Sequence, residues 1–159
     1  MKTYVELPPT WLVGRKTRLR ALEVEDVPFL GRCKIVIDKQ ARGFVVQTLD
    51  GRDIGALGVF VSGPHAAIAV GFVDDVRYVD GSATDALKVM CKGLPRSLPL
   101  ERIEALVPVE NHRSLAAHER AGFEREGVLR EALLEDGRYR DAVVFSVLSE
   151  GIERWLESR

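Results

Sequence analysis

Residues 66–109 read as a strand, a helix and a second strand, and this unit limits the chain to folds that lay a helix against a sheet. "AAIAVGFV" (66–73) is a continuous apolar run of strand length. After Gly81, the residues Ala83, Ala86, Leu87, Met90, Cys91 and Leu94 recur at three- and four-residue steps, which puts them on one helical face. Ser82 is expected to cap this helix, with Asp85 in a capping-box-like place, and Gly93 to stop it. "RIEALVPV" (102–109) then returns to a strand. If the two strands are parallel, a helix over 82–92 makes a right-handed crossover between them. The turn at Gly81 then lies at the C-terminal edge of a strand, where open sheets commonly admit ligands. Taken by itself, Gly81 serves a tight turn or a phosphate-binding loop equally well.

The rest of the chain is consistent with a sheet that is only partly parallel. "TRLRALEV" (17–24) alternates as a strand, and "EVED" can open a short helix through Phe29 and Leu30. "GFVVQTL" and "DIGALGVFV" flank Asp50-Gly51, a pair expected to supply the positive dihedrals of a hairpin turn. A short helix over 111–123 ends at Gly122, a long hairpin over 126–148 turns at Asp136-Gly137, and a terminal helix carries Ile152, Trp155 and Leu156. Such a mixture indicates an α/β or α+β sheet with helices on its faces. At 159 residues, 46% hydrophobic and 30% charged, the chain is expected to form one domain over 1–159.

A formal net charge of −1 argues against nucleic acid or an anionic membrane surface as a general partner, although the basic cluster "GRKTRLR" (14–20) can act locally. No apolar run approaches the roughly 20 residues of a membrane span. The N-terminus lacks the layout of a secretory signal, and Cys33 and Cys91 stand far apart, so a cytoplasmic protein with reduced thiols is expected. Cys91 reads as core. His65, His112 and His118 form no zinc motif, and no metal is expected.

Three segments, taken together and in order, resemble the GNAT superfamily of N-acetyltransferases, in particular the branch that acetylates ribosomal-protein N-termini. They are "TRLRALEVED", "GFVDDVRYVDGSATDAL" and "ENHRSLAAHERAGFEREGVLREALLEDGRYRDAVVFSVL". The resemblance implies a mixed, largely antiparallel central sheet with helices on both faces, and acetyl-CoA as acetyl donor. It also implies that the amides of Val79, Gly81, Ser82, Ala83 and Thr84 hold the CoA pyrophosphate, that Val73 lies beside the pantetheine and acetyl carbonyl, and that Asn111 and Ser114 reach the cofactor's other side. Read without it, Asn111 ends a strand and Ser114 caps a helix or lies on the surface.

The loop departs from the family pattern at Tyr78, Val79 and Asp80. A carboxylate ~5 Å from a phosphate at an effective dielectric of ~20 is repelled by roughly 3 kcal/mol before screening, so Asp80 weakens binding if it faces inward and costs little if it faces outward.

For catalysis, the resemblance puts His118 where the family has a tyrosine that protonates the leaving thiolate, and Glu104 is a candidate base, directly or through water, because a strand carboxylate can face the sheet opening. Read blandly, His118 is an ordinary polar residue of a helix face and Glu104 a surface charge. Ala67 stands where another family acid would be. The segment between the first strand and "GFVVQTL" is too short for the family's two helices, so an open acceptor groove is expected. It would take a primary amine on a small molecule or a protein N-terminus, or be completed by a second subunit in a homodimer. The competing expectations are a GNAT-fold binding or regulatory module that has lost efficient transfer, and a structural partner protein in which the Gly81 loop is merely a turn.

Overall fold

A computed structural model describes residues 12–37, 40–73 and 81–157. Its strands are β1 (Thr17–Ala21), β2 (Arg42–Thr48), β3 (Asp53–Ser62), β4 (His65–Phe72), β5 (Arg102–Pro108), β6 (Glu124–Glu135) and β7 (Arg138–Leu148). Its α-helices are α1 (Val27–Arg32), α2 (Ser82–Ser97), α3 (His112–Ala121) and α4 (Ser149–Glu157), and a 3₁₀ turn at Val24–Asp26 precedes α1. The strands form one sheet in the order β1-β2-β3-β4-β5-β7-β6. Every neighbouring pair is antiparallel except β4 and β5, which α2 connects in parallel.

The main core lies between the sheet and α2, α3 and α4, where Leu57, Leu87, Met90, Ile103 and Phe145 are fully buried. On the opposite face, α1 and the segment after it cover a smaller cluster of Cys33, Ile35, Ala56 and Val73. Helices therefore occupy both faces. No helix among the described residues is long and apolar enough to cross a membrane.

Several local expectations change for physical reasons. Helix α2 runs through Gly93 to Ser97, because Leu94, at 1% exposure, packs into the core and offsets the roughly 1 kcal/mol glycine cost. Its N-cap is Gly81, and Ser82 is the first helical residue, buried at 2%. Asp136 and Gly137 both take positive φ, as a two-residue hairpin requires, but at the earlier turn only Gly51 does (φ 91°). There the Gly51 N–H donates to the Thr48 carbonyl and the Thr48 N–H to the Arg52 carbonyl, a longer connection that needs one left-handed residue. Strand β6 is also interrupted: Asp141 alone stands opposite residues 130–132, and its carboxylate accepts the Glu131 N–H at 2.9 Å. This bulge opens a recess of about 780 Å³ lined by Leu129, Arg130, Glu131, Ala132 and Asp141.

Asp85 has a different part from that of a capping-box residue. Its carboxylate accepts the backbone N–H groups of Arg15 (3.1 Å), Lys16 (3.0 Å) and Thr17 (2.9 Å) and the Thr17 hydroxyl (2.8 Å). The first turn of α2 is thereby tied to the start of β1. Asp85→Ala is expected to lower stability by about 2–3 kcal/mol, since it strands part-buried donors. Urea unfolding measures this, and an unchanged midpoint would show that the clasp adds nothing.

Candidate active site

The parallel pairing of β4 and β5 runs from His65↔Arg102 to Ile68↔Ala105 and stops there. Both strands continue: β4 stays paired with β3 as far as Gly55↔Phe72, and β5 with β7 as far as Pro108↔Ala142. Each strand follows its outer neighbour, so the two halves of the sheet part toward their C-terminal ends. The Pro64 carbonyl accepts from Glu101 and Arg102 on the β5 side, and the Val73 N–H donates to the Ile54 carbonyl on the β3 side. Because backbone groups alternate direction along a strand, even-numbered residues such as Val70 direct their amides into the opening. Val73 itself is buried at 2%.

Both crossing helices begin at this same edge. Helix α2 follows β4 and starts at Gly81, which holds φ 82° and ψ 13°, a left-handed conformation that favours glycine. The first helical bond is from the Asp85 N–H to the Gly81 carbonyl at 3.0 Å, so the amides of Ser82, Ala83 and Thr84 lie ahead of it, at the helix mouth. Among the described residues, a Cβ built on Gly81 would find only the Lys16 Nζ within 4 Å, at 3.9 Å, so none of them keeps a ligand from the backbone there. A helix start open in this way suits the pyrophosphate of CoA. Arg77, Tyr78, Val79 and Asp80 lie outside the described residues.

Helix α3 follows β5 and starts at Asn111, whose side chain accepts the Ser114 N–H at 3.2 Å. Topology thus brings Val73, Gly81, Ser82, Ala83, Thr84, Asn111 and Ser114 to one edge of the sheet.

One turn further along α3, His118 is 1% exposed. Its Nδ1 is 2.7 Å from the Ser114 carbonyl and 3.4 Å from the Ser114 hydroxyl. A carbonyl only accepts, so Nδ1 carries the proton and donates it. The ring stacks on Phe145 (5.3 Å between centroids, 19°) and meets Phe123 edge-on (5.3 Å, 70°). Nε2 is buried and has no hydrogen-bond partner among the described residues, a placement that costs about 1–3 kcal/mol.

Burial lowers the His118 pKa, against a smaller opposing effect from the Ser114 carbonyl. At neutral pH the imidazole is therefore uncharged, and Nε2 is its proton-accepting nitrogen. Because the folded pKa lies below the unfolded value of about 6.5, the native state resists protonation here. Its contribution to stability is full above pH 6.5 and declines as pH falls below it. His118→Phe is expected to flatten that part of the profile, as urea midpoints between pH 5 and about 7.5 would show. An identical pH slope in both proteins would place the acid sensitivity elsewhere.

Glu104 lies in the closed part of the ladder, opposite Ala67 and Ser146. Its carboxylate takes the Arg102 Nε–H at 2.9 Å. Arg102 also forms a two-pronged pair with Glu126, at 2.7 Å on each side, and the Ser146 hydroxyl donates to Glu126 at 2.6 Å. These contacts hold the Glu126 carboxyl down to about 2, with Arg102 the main cause. Glu104 thus belongs to an ion cluster and is not gathered with the residues at the open edge. Sequence reasoning missed this cluster, and also Lys16, which stands at the mouth of α2. The only local signal for Lys16 is its place in the basic run 14–20.

Comparison with known proteins agrees with this geometry. Residues 17–124 match the family described as Acetyltransferase (GNAT) domain. The probable N-acetyltransferase YjcK of Bacillus subtilis (strain 168) is 31% identical over 108 residues, which are 66% of this chain and 60% of that protein. The chain thus spans less than two thirds of that relative's length. Among solved structures, a spermidine N-acetyltransferase SpeG chimera from Vibrio cholerae and hSSAT superposes with a TM-score of 0.74 at 22% identity, covering 91% of this chain and all of that one, a likeness of fold. Mycobacterium smegmatis RimJ in complex with CoA-disulfide gives a TM-score of 0.63 at 29% identity, covering 72% of this chain and 58% of that one. A sheet that parts between its two parallel strands, helix starts gathered at the opening and a family match from β1 into β6 lead to one conclusion: the chain belongs to the GNAT acetyltransferase family.

Proposed function

We propose that this chain is an N-acetyltransferase that uses acetyl-CoA to acetylate a primary amine, with a protein N-terminus as the acceptor, as in the ribosomal-protein branch of the family. The observation that carries this reading is the parting of β4 from β5 beside the Gly81 helix start. Acetyl-CoA supplies the acetyl group as a thioester with a thiolate leaving group. The amides at Gly81, Ser82, Ala83 and Thr84 take the pyrophosphate, Val79 is assigned to the same group by the family resemblance alone, and Asn111 and Ser114 flank the cofactor on the α3 side. The β4 edge, ending at Val73, orients the acyl group, and an inward amide such as that of Val70 offsets the charge growing on its oxygen.

As the C–N bond forms and the C–S bond breaks, one proton must travel from the amine to sulfur. Nε2 of His118 is the group assigned to accept it and pass it on, since Nδ1 is held as a donor and Glu104 is engaged by Arg102.

The acceptor class is inferred from the cover over the opposite sheet face. Among the described residues between β1 and β2, the six residues of α1 are the one α-helix, and Val24 (83%), Val27 (58%) and Val36 (85%) are exposed on that segment. The same short segment exposes Glu23 and Glu25 beside Arg32 and Lys34, so it offers valines without an excess of acid, which suits an extended polypeptide better than a polycation. Thiol release and mass spectrometry with acetyl-CoA test this against peptides with free N-termini, the same peptides N-terminally blocked, and spermidine. Transfer to the free N-termini alone is expected. Transfer to spermidine alone would replace the acceptor class, and acetyl-CoA binding without any transfer would favour a binding module.

A further inference from the structure

The basic run at 14–20 has no part in the proposed transfer, yet the fold carries it to the mouth of α2. Gly14 lies so close to that helix that a Cβ there would be 2.3 Å from the Asp85 Oδ2 and 2.5 Å from the Val89 Cγ2. Any larger residue there would have to displace the Asp85 carboxylate or the Val89 side chain. Beyond it, the Asp85 carboxylate grips three successive backbone N–H groups, those of Arg15, Lys16 and Thr17. The backbone of Lys16 is therefore fixed relative to the first turn of α2, while its side chain is exposed and brings Nζ to 3.9 Å from the Cβ position of Gly81. The ammonium stands at the positive end of the helix, ahead of the amides of Ser82, Ala83 and Thr84.

We propose that Lys16 is a further binding residue of the acetyl-CoA site, its ammonium pairing with a CoA phosphate at the α2 mouth, and that Asp85 positions it there. This rests on the acetyl-CoA reading above. A point charge and a row of helix amides act on the same anion, so their effects reinforce one another. Because the grip on residue 16 uses its backbone N–H, a side-chain replacement leaves the clasp intact.

Titration calorimetry of the full chain with CoA and with 3′-dephospho-CoA tests the assignment on wild type, K16A, K16E and K16R. Lys16→Ala is expected to weaken CoA by about tenfold, the scale of one charge-assisted hydrogen bond, with K16E weaker still and K16R near wild type. The differences should shrink at high salt. Loss toward both ligands assigns Lys16 to the pyrophosphate, and loss toward CoA alone assigns it to the 3′-phosphate. Wild-type binding of CoA with equal affinity in K16A and K16E would overturn the role of Lys16. Absence of wild-type binding would overturn the acetyl-CoA reading itself.

Discussion

Gly81→Val is expected to weaken acetyl-CoA binding about a hundredfold while the domain stays folded. Space among the described residues is not the obstacle, since a Cβ at residue 81 meets only the Lys16 Nζ there, at 3.9 Å. The obstacle is the backbone: φ of 82° suits glycine and costs other residues roughly 1–2 kcal/mol, with a β-branched side chain at the unfavourable end. The chain relieves that strain by turning the peptide units at the start of α2, and the amides of Ser82, Ala83 and Thr84 then no longer converge on one anion. Losing two charge-assisted hydrogen bonds at about 1.4 kcal/mol each gives the expected factor. Buried anchors further along α2, Leu87, Met90 and Leu94, keep the helix in place. Gly81→Ala should show a smaller loss in the same direction. A folded Gly81→Val protein with wild-type affinity would remove the α2 start from the site.

His118→Phe should slow acetyl transfer by about 10²-fold without weakening the protein. Proton transfer by a positioned side chain contributes about that factor at its lower end. Phenylalanine preserves the packing on Phe145 and Phe123, and it removes the buried Nε2, which has no partner among the described residues, so urea stability at neutral pH should hold or rise. Acetyl-CoA affinity should change little. His118→Tyr restores a hydroxyl that the wider family uses at this position, and recovery by tyrosine but not by phenylalanine identifies the lost function as proton handling. Full turnover in His118→Phe would reduce His118 to a packing residue.

Much of the architecture is legible in the sequence because it rests on local rules. The Asp136-Gly137 hairpin declares itself by a turn pair whose positive dihedrals strands need, and α2 by apolar residues at helical spacing. Tertiary packing decides what local rules miss: Leu94 has a place in the core, so α2 passes Gly93 without ending there. The parting of β4 from β5 was hidden for a related reason. Both strands keep their strand pattern beyond Ile68 and Ala105, and only their outer partners pull them apart. His118 was legible as a position on a helix, but its proton-accepting form follows from the Ser114 carbonyl and from burial against Phe145. Lys16 and Asp85 meet the α2 mouth across a long stretch of chain, and no periodicity connects residues so far apart.

Titration calorimetry of the wild-type chain with acetyl-CoA, CoA and acetyl-pantetheine decides whether the parted sheet and the Gly81 helix start form an acetyl-CoA site. Saturable, one-site binding of acetyl-CoA and CoA is expected, with acetyl-pantetheine, which lacks the pyrophosphate, at least about tenfold weaker. Equal affinity for all three ligands, or no saturable binding of acetyl-CoA, would contradict such a site.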